Sequence, residues 1–186
     1  MINSRRLSTV FVVLATSVAA APALAHGKST FATTLSGYNE TPSTLNSPAS
    51  GSFIAKISKD ELSISYTLSY SDLPTNVLQA HIHFGRPGLS GGVVLFLCTN
   101  LAPPAGVPTP PPCPLTSGSV SGTLTSADVI AVAGQGIDPG AAGFAEMINA
   151  LRNGAAYANV HSTQRPGGEI RGPLGKVPDD DEEDDD

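Results

Sequence analysis

Residues 61–73 read "ELSISYTLSYSDL". Leu62, Ile64, Tyr66, Leu68 and Tyr70 alternate with Ser63, Ser65, Thr67 and Ser69, the two-residue period of an antiparallel strand with one apolar face. Shorter runs with the same habit stand at 29–37, 49–58, 77–85, 92–98, 118–125, 156–162 and 168–175, with Gly, Pro, Asn or Asp in nearly every gap. About eight short strands at this spacing predict an all-β fold, an antiparallel, Greek-key-like β-sandwich. One or two short helices interrupt it. "TSADVIAVAG" offers Ser126 as N-cap of a helix stopping at Gly134, and "DPGAAGFAEMINALRNG" offers Asp138 as N-cap, Pro139 at the first helical position and Gly154 as the stop.

The first 25 residues have the form of a signal peptide. Arg5 and Arg6 precede the apolar run "LSTVFVVLATSVAA", and Ala23-Leu24-Ala25 is a small-x-small cleavage site. Export to the periplasm or the cell exterior is expected, with no transmembrane segment in the mature chain, whose domain spans 26–176. The net charge of −6 is unevenly placed. Residues 26–178 carry eight Lys/Arg and eight Asp/Glu, so the acidity sits in "DDDEEDDD" at 179–186. Residues 177–186 read as a self-repelling, disordered tail. With no basic patch on the domain, nucleic acid is not an expected partner. Cys98 and Cys113, in an exported chain, are expected to form a disulfide that pins the Pro-rich loop between them.

The chemistry concentrates in "QAHIHFGRPG", 79–88. On a strand, Gln79, His81 and His83 share one face, with neighbouring side chains about 6–7 Å apart, while Leu78, Ala80, Ile82 and Phe84 share the other. "AYANVHS" puts Tyr157, Asn159 and His161 on one face of a later strand. If the two strands are neighbours, His81, His83 and His161 form a three-nitrogen cluster suited to copper, with zinc as the alternative. Otherwise they are independent histidines in a polar rim. His26, at the expected mature N-terminus, could chelate copper through its amine and ring. Nucleophilic catalysis finds no support: there is no G-x-S-x-G elbow, no free cysteine and no obvious acid pair. "GRPGLSGG" is neither a Walker loop nor a dinucleotide fingerprint and reads as a hairpin turn with Arg86 exposed.

Four blocks, "LSGYNETP", "AHIHFGRPGLSGGVV", "SGTLTSADV" and "AYANVHSTQRPGGEIRGPL", resemble the successive blocks of the CHRD domain, a module repeated in chordin and found singly in many exported bacterial proteins. The resemblance runs from Phe31 to Leu174 and implies an exported binding module without an established activity. The insertion holding Cys98 and Cys113 departs from the family's compact link. A weaker resemblance is to the copper half of copper–zinc superoxide dismutases, in which an H-V-H strand, a later V-H and a C-terminal Arg form the site. His81, His83, His161 and Arg171 match in order and type, but the bridging histidine and the zinc-loop ligands are missing. That resemblance implies a copper-only oxidoreductase with Arg171 drawing an anion toward the metal. Arg171 otherwise pairs with Glu169 or stays solvated. Three function classes therefore stand at this point: a metal-holding binding module, a dismutase-like enzyme, and a metal-free interaction domain of the envelope with an unidentified protein partner.

Overall fold

A computed structural model describes residues 29–176. The expected signal peptide, His26 and the acidic tail lie outside the described residues. Among the described residues, nine strands form the fold: β1 Thr30–Ser36, β2 Ser50–Ile57, β3 Ser63–Ser71, β4 Val77–Phe84, β5 Gly92–Thr99, β6 Gly118–Thr125, β7 Ala156–Ser162, β8 Ile170–Pro173 and β9 Gly175–Lys176. Helix α1, Gly140–Arg152, precedes β7.

The all-β expectation holds, with one change of form. The strands make a single sheet in the order β5-β4-β7-β8-β1-β2-β3-β6, with β9 beside β1, and every pairing is antiparallel. The sheet curls until its two ends meet. Tyr66 Oη of β3 donates to the Leu97 carbonyl of β5 at 2.6 Å, and an isolated bridge joins Leu95 to Val129, just beyond β6. The result is nearly closed, which removes most of the unpaired edge an open sheet would expose.

The alternation in β3 does what its period requires. Ile64, Tyr66, Leu68 and Tyr70 are buried, with Ile64 and Leu68 at 0% exposure. They share one core with their β2 neighbours Phe53 and Ile57 and with Leu95 and Leu97 of β5, and Met147, Ile148 and Leu151 of α1 join it. Each buried Leu or Ile contributes about 1.5–3 kcal/mol relative to an exposed one, so these rows carry much of the stability. Ser65, Thr67 and Ser69 face outward and pair sideways, Thr67 with Ser121 at 2.9 Å and Ser69 with Ser119 at 3.0 Å.

Two expectations about helices are corrected. Ser126 does not cap a helix running to Gly134. A 3₁₀ turn occupies only Ser126–Asp128, capped by Thr125 in a reciprocal arrangement with Asp128. The chain then extends so that Ile130 N–H reaches the Val94 carbonyl at 2.9 Å. Valine and isoleucine at 129, 130 and 132 are better used along a sheet edge than in a short helix. In the second helix Pro139 is itself the N-cap, and the Asp138 side chain caps nothing. Gly154, with φ 64°, ends the helix as expected. Cys98 and Cys113 are disulfide-bonded. Within the loop they close, Asn100 amide donates to the carbonyls of Val77 and Cys113 at 2.9 and 3.1 Å. No helix among the described residues is long and apolar enough to cross a membrane.

Candidate metal centre

β7 lies between β4 and β8, and that placement assembles the site. Its register sets Gln79 against His161, His81 against Asn159 and His83 against Tyr157, while Asn159 faces Arg171 of β8. All these side chains stand on one face, and the opposite face gives Ala80, Ile82, Ala158 and Val160 to the core. A strand's polar face ordinarily meets water. Here it does not. His81 is 1% exposed, His83 and His161 6% each, and Arg171 3%.

Loops form the cover. The β4–β5 hairpin loop brings the Gly91 carbonyl to His83 Nδ1 at 3.0 Å, and the loop after β7 brings the Pro166 carbonyl to His161 Nδ1, also at 3.0 Å. A carbonyl only accepts, so each ring carries its proton on Nδ1 and turns a bare Nε2 lone pair inward. His81 Nδ1 stands 3.2 Å from His161 Nε2. Two nitrogens on one tetrahedral ion with bonds of about 2.0–2.1 Å lie about 3.3 Å apart, so that pair already has the spacing of shared ligands. One ligand atom from each of His81, His83 and His161 can be chosen so that all lie within 4.8 Å of one another.

His81 Nε2 and His83 Nε2 are buried without any hydrogen-bond partner. Burial without compensation favours the neutral rings. It pushes His81 down to about 2, with the charges of His161 and His83 adding to the shift. It pushes His83 down to about 4 against the Gly91 hydrogen bond, and lowers His161 as well. The rings are therefore uncharged at neutral pH, each with one proton and one free lone pair, the form in which imidazole binds metals.

Aromatic and ionic neighbours hold the cluster. Tyr157 stacks on His83, with ring centroids 4.6 Å apart and planes 8° apart, and Phe96 stands against His81 at 4.2 Å. The Arg171 guanidinium lies 3.4 Å from the Tyr157 ring centroid. It donates through Nη1 to Thr41 Oγ1 at 2.5 Å and through Nη2 to the carbonyls of Leu89 at 2.6 Å and Arg86 at 3.5 Å. Arg171 is thus neither solvated nor paired with Glu169. It ties the hairpin loop to the sheet.

Sequence reasoning missed the acids. Glu40 and Glu169 are buried beside this cluster at 7% and 2% exposure. Asn159 donates to Glu40 at 2.6 Å, while Glu169 accepts from Ser47 at 2.7 Å and from Ser162. Burial raises the Glu40 carboxyl to about 7, against the lowering effects of the Asn159 hydrogen bond and the Arg171 charge. The signal that could have exposed this is Gly168, whose φ is +132°. A Cβ there would lie 2.8 Å from Glu40 Oε2 and 2.9 Å from Asn159 Oδ1, so the "PGGE" turn needs glycine where it meets the carboxylate. Arg86 is exposed in its hairpin loop, as expected.

No curated protein and no solved structure matches this chain. The family model of the CHRD domain matches residues 31–174, a span that includes the three histidines, both loops that cover them and Arg171. The chain belongs to the CHRD domain family.

Proposed function

We propose that this protein is an exported binding module that holds one transition-metal ion, copper by preference, at His81, His83 and His161. The observation that carries the reading is the gathering of one ring nitrogen from each of the three histidines within 4.8 Å of one another, with His83 Nε2 buried and without a hydrogen-bond partner. Leaving a polar atom so costs about 1–3 kcal/mol, and a bound cation that takes up the His83 lone pair gives that imidazole a use. The Gly91 and Pro166 carbonyls support it further, since fixing the tautomer of a ligating histidine is what the surroundings of metal sites do. An all-imidazole donor set favours copper, zinc remaining the alternative. The oxidoreductase reading requires the Arg171 guanidinium free to meet an anion, and its engagement with Thr41, Leu89 and Arg86 weighs toward binding without catalysis.

The test is metal content of the protein purified from its export compartment, beside the His81→Ala, His83→Ala double variant. One equivalent in the parent and none in the variant supports the reading. A parent that carries no metal and takes up neither Cu⁺, Cu²⁺ nor Zn²⁺ on titration refutes it and leaves a metal-free interaction domain.

A further inference from the structure

We propose that the histidine cluster is built for a monovalent ion, cuprous copper, and that the charge of Arg171 helps to set this preference; the inference rests on the metal-binding reading above. The donor set is the first ground. The candidate ligands gathered among the described residues are three histidines, without a carboxylate or thiolate. Both neighbouring acids are engaged elsewhere, Glu40 with Asn159 and Glu169 with Ser47 and Ser162. An ion bound by three neutral rings keeps its whole charge.

Burial makes that charge expensive. The three rings are 1%, 6% and 6% exposed and are packed against Phe96 and Tyr157. The solvation energy lost on burial grows with the square of the charge, so a divalent ion forfeits about four times what a monovalent one does. Coordination points the same way. Cupric copper prefers a tetragonal set and zinc a tetrahedral one, both needing a fourth donor, whereas three nitrogens satisfy a cuprous ion.

Arg171 adds a fixed positive charge. Its guanidinium lies over Tyr157, whose ring stacks on His83, so the three groups form a buried cation–ring–ligand series. Repulsion from this charge scales with the charge of the bound ion, and it disfavours a divalent ion about twice as strongly. The arginine acts on the site through its field and its hold on the loop, not as a ligand. It is a positioning residue.

The experiment is the reduction potential of the copper-loaded protein, measured for the parent and for Arg171→Gln. A site that holds Cu⁺ more tightly than Cu²⁺ raises the potential of the couple above that of aqueous copper, by about 59 mV for each tenfold of preference. We expect a parent potential above the aqueous couple and a lower one in Arg171→Gln, because removing the cation stabilises Cu²⁺ more than Cu⁺. A parent potential at or below the aqueous couple overturns the proposal, as does an Arg171→Gln variant that binds copper at an unchanged potential. The parent measurement stands even if the variant does not fold. Copper bound at a low potential refutes only this inference, whereas failure to bind copper or zinc at all refutes the metal reading beneath it.

Discussion

Acid is a perturbation to which the histidine cluster, stripped of metal by chelator, is sensitive. In an unfolded chain these side chains titrate near 6.5. In the fold, burial holds His81 at about 2 and His83 at about 4. The unfolded state therefore binds protons that the folded state refuses. The stability these two groups contribute is whole above about pH 6.5 and is lost as the pH falls from 6.5 toward the folded values, about 4 for His83 and about 2 for His81. Between about pH 6 and pH 5 unfolding takes up about 1.8 protons, at about 1.4 kcal/mol per proton and pH unit, a slope of about 2.4 kcal/mol per pH unit. His161 is lowered too and steepens the fall. Glu40 works in the opposite sense. Its folded value is raised to about 7, so its contribution is present below the ordinary carboxylate range and fades as the pH rises through 7. Against a total stability of about 5–15 kcal/mol, the histidine slope is large enough to unfold the metal-free chain in mild acid. The assay is urea unfolding in chelator at about pH 7, 6 and 5, followed by circular dichroism because the chain has no tryptophan. We expect the midpoint to fall steadily with pH, and to fall more steeply in Glu40→Gln. A midpoint unchanged across that range would show that the rings are not held neutral by burial, and the reasoning would fail.

Three further outcomes follow from particular contacts. Replacing Cys98 and Cys113 together with Ser, across their separation of 15 residues, should lower stability by about 3 kcal/mol in the same urea assay. Leu68→Ala, at 0% exposure, should cost about 2–5 kcal/mol, whereas Leu62→Ala, which lies just before β3 and is 68% exposed instead of extending the strand's apolar face, should stay within about 0.5 kcal/mol. Gly168→Ala should destabilise the fold and weaken metal uptake together, because its Cβ would displace Glu40 and Asn159; thermal unfolding and metal titration on one sample check both.

Period-two alternation made most of the fold legible, because a residue that alternates can satisfy only one face. The strand positions of His81, His83 and His161 followed from the same rule, as did their common face. Their burial did not follow. In "AYANVHS" alternation divides polar from apolar, yet every residue of β7 is buried, since loops distant in sequence close over the polar side. The same non-local cover hid the neighbourhood of Glu40 and Glu169, which belong to distant segments that meet through Asn159, Ser47 and Ser162. Arg171 was visible as a charge near the site, but its partners are mainly backbone carbonyls, which carry no side-chain signature in a sequence. Ser126 misled because a capping residue at the end of a strand can equally close a single 3₁₀ turn, and β-branched residues downstream decided for the sheet.

The loops explain why the motifs around the histidines are rich in glycine and proline. "FGRPGLSGG" and "STQRPGGE" contain no candidate metal ligand, yet each delivers one main-chain carbonyl, Gly91 or Pro166, to the outer nitrogen of a histidine. A carbonyl can be placed there only if the loop folds tightly onto the sheet, which requires turns without bulky side chains and a latch to hold them. Arg171 latches the first loop through Arg86 and Leu89, and the hydrogen bonds of Ser162 to Glu169 and of Arg165 N–H to Ser162 Oγ at 3.1 Å tie down the second. The three histidines are thus the inner part of a larger unit. Side chains from β4 and β7 supply the lone pairs, and the backbone of two turns fixes where those lone pairs point. A substitution that spared every histidine but loosened either turn would let His83 or His161 change tautomer, and the cluster would lose its shape before it lost a single donor.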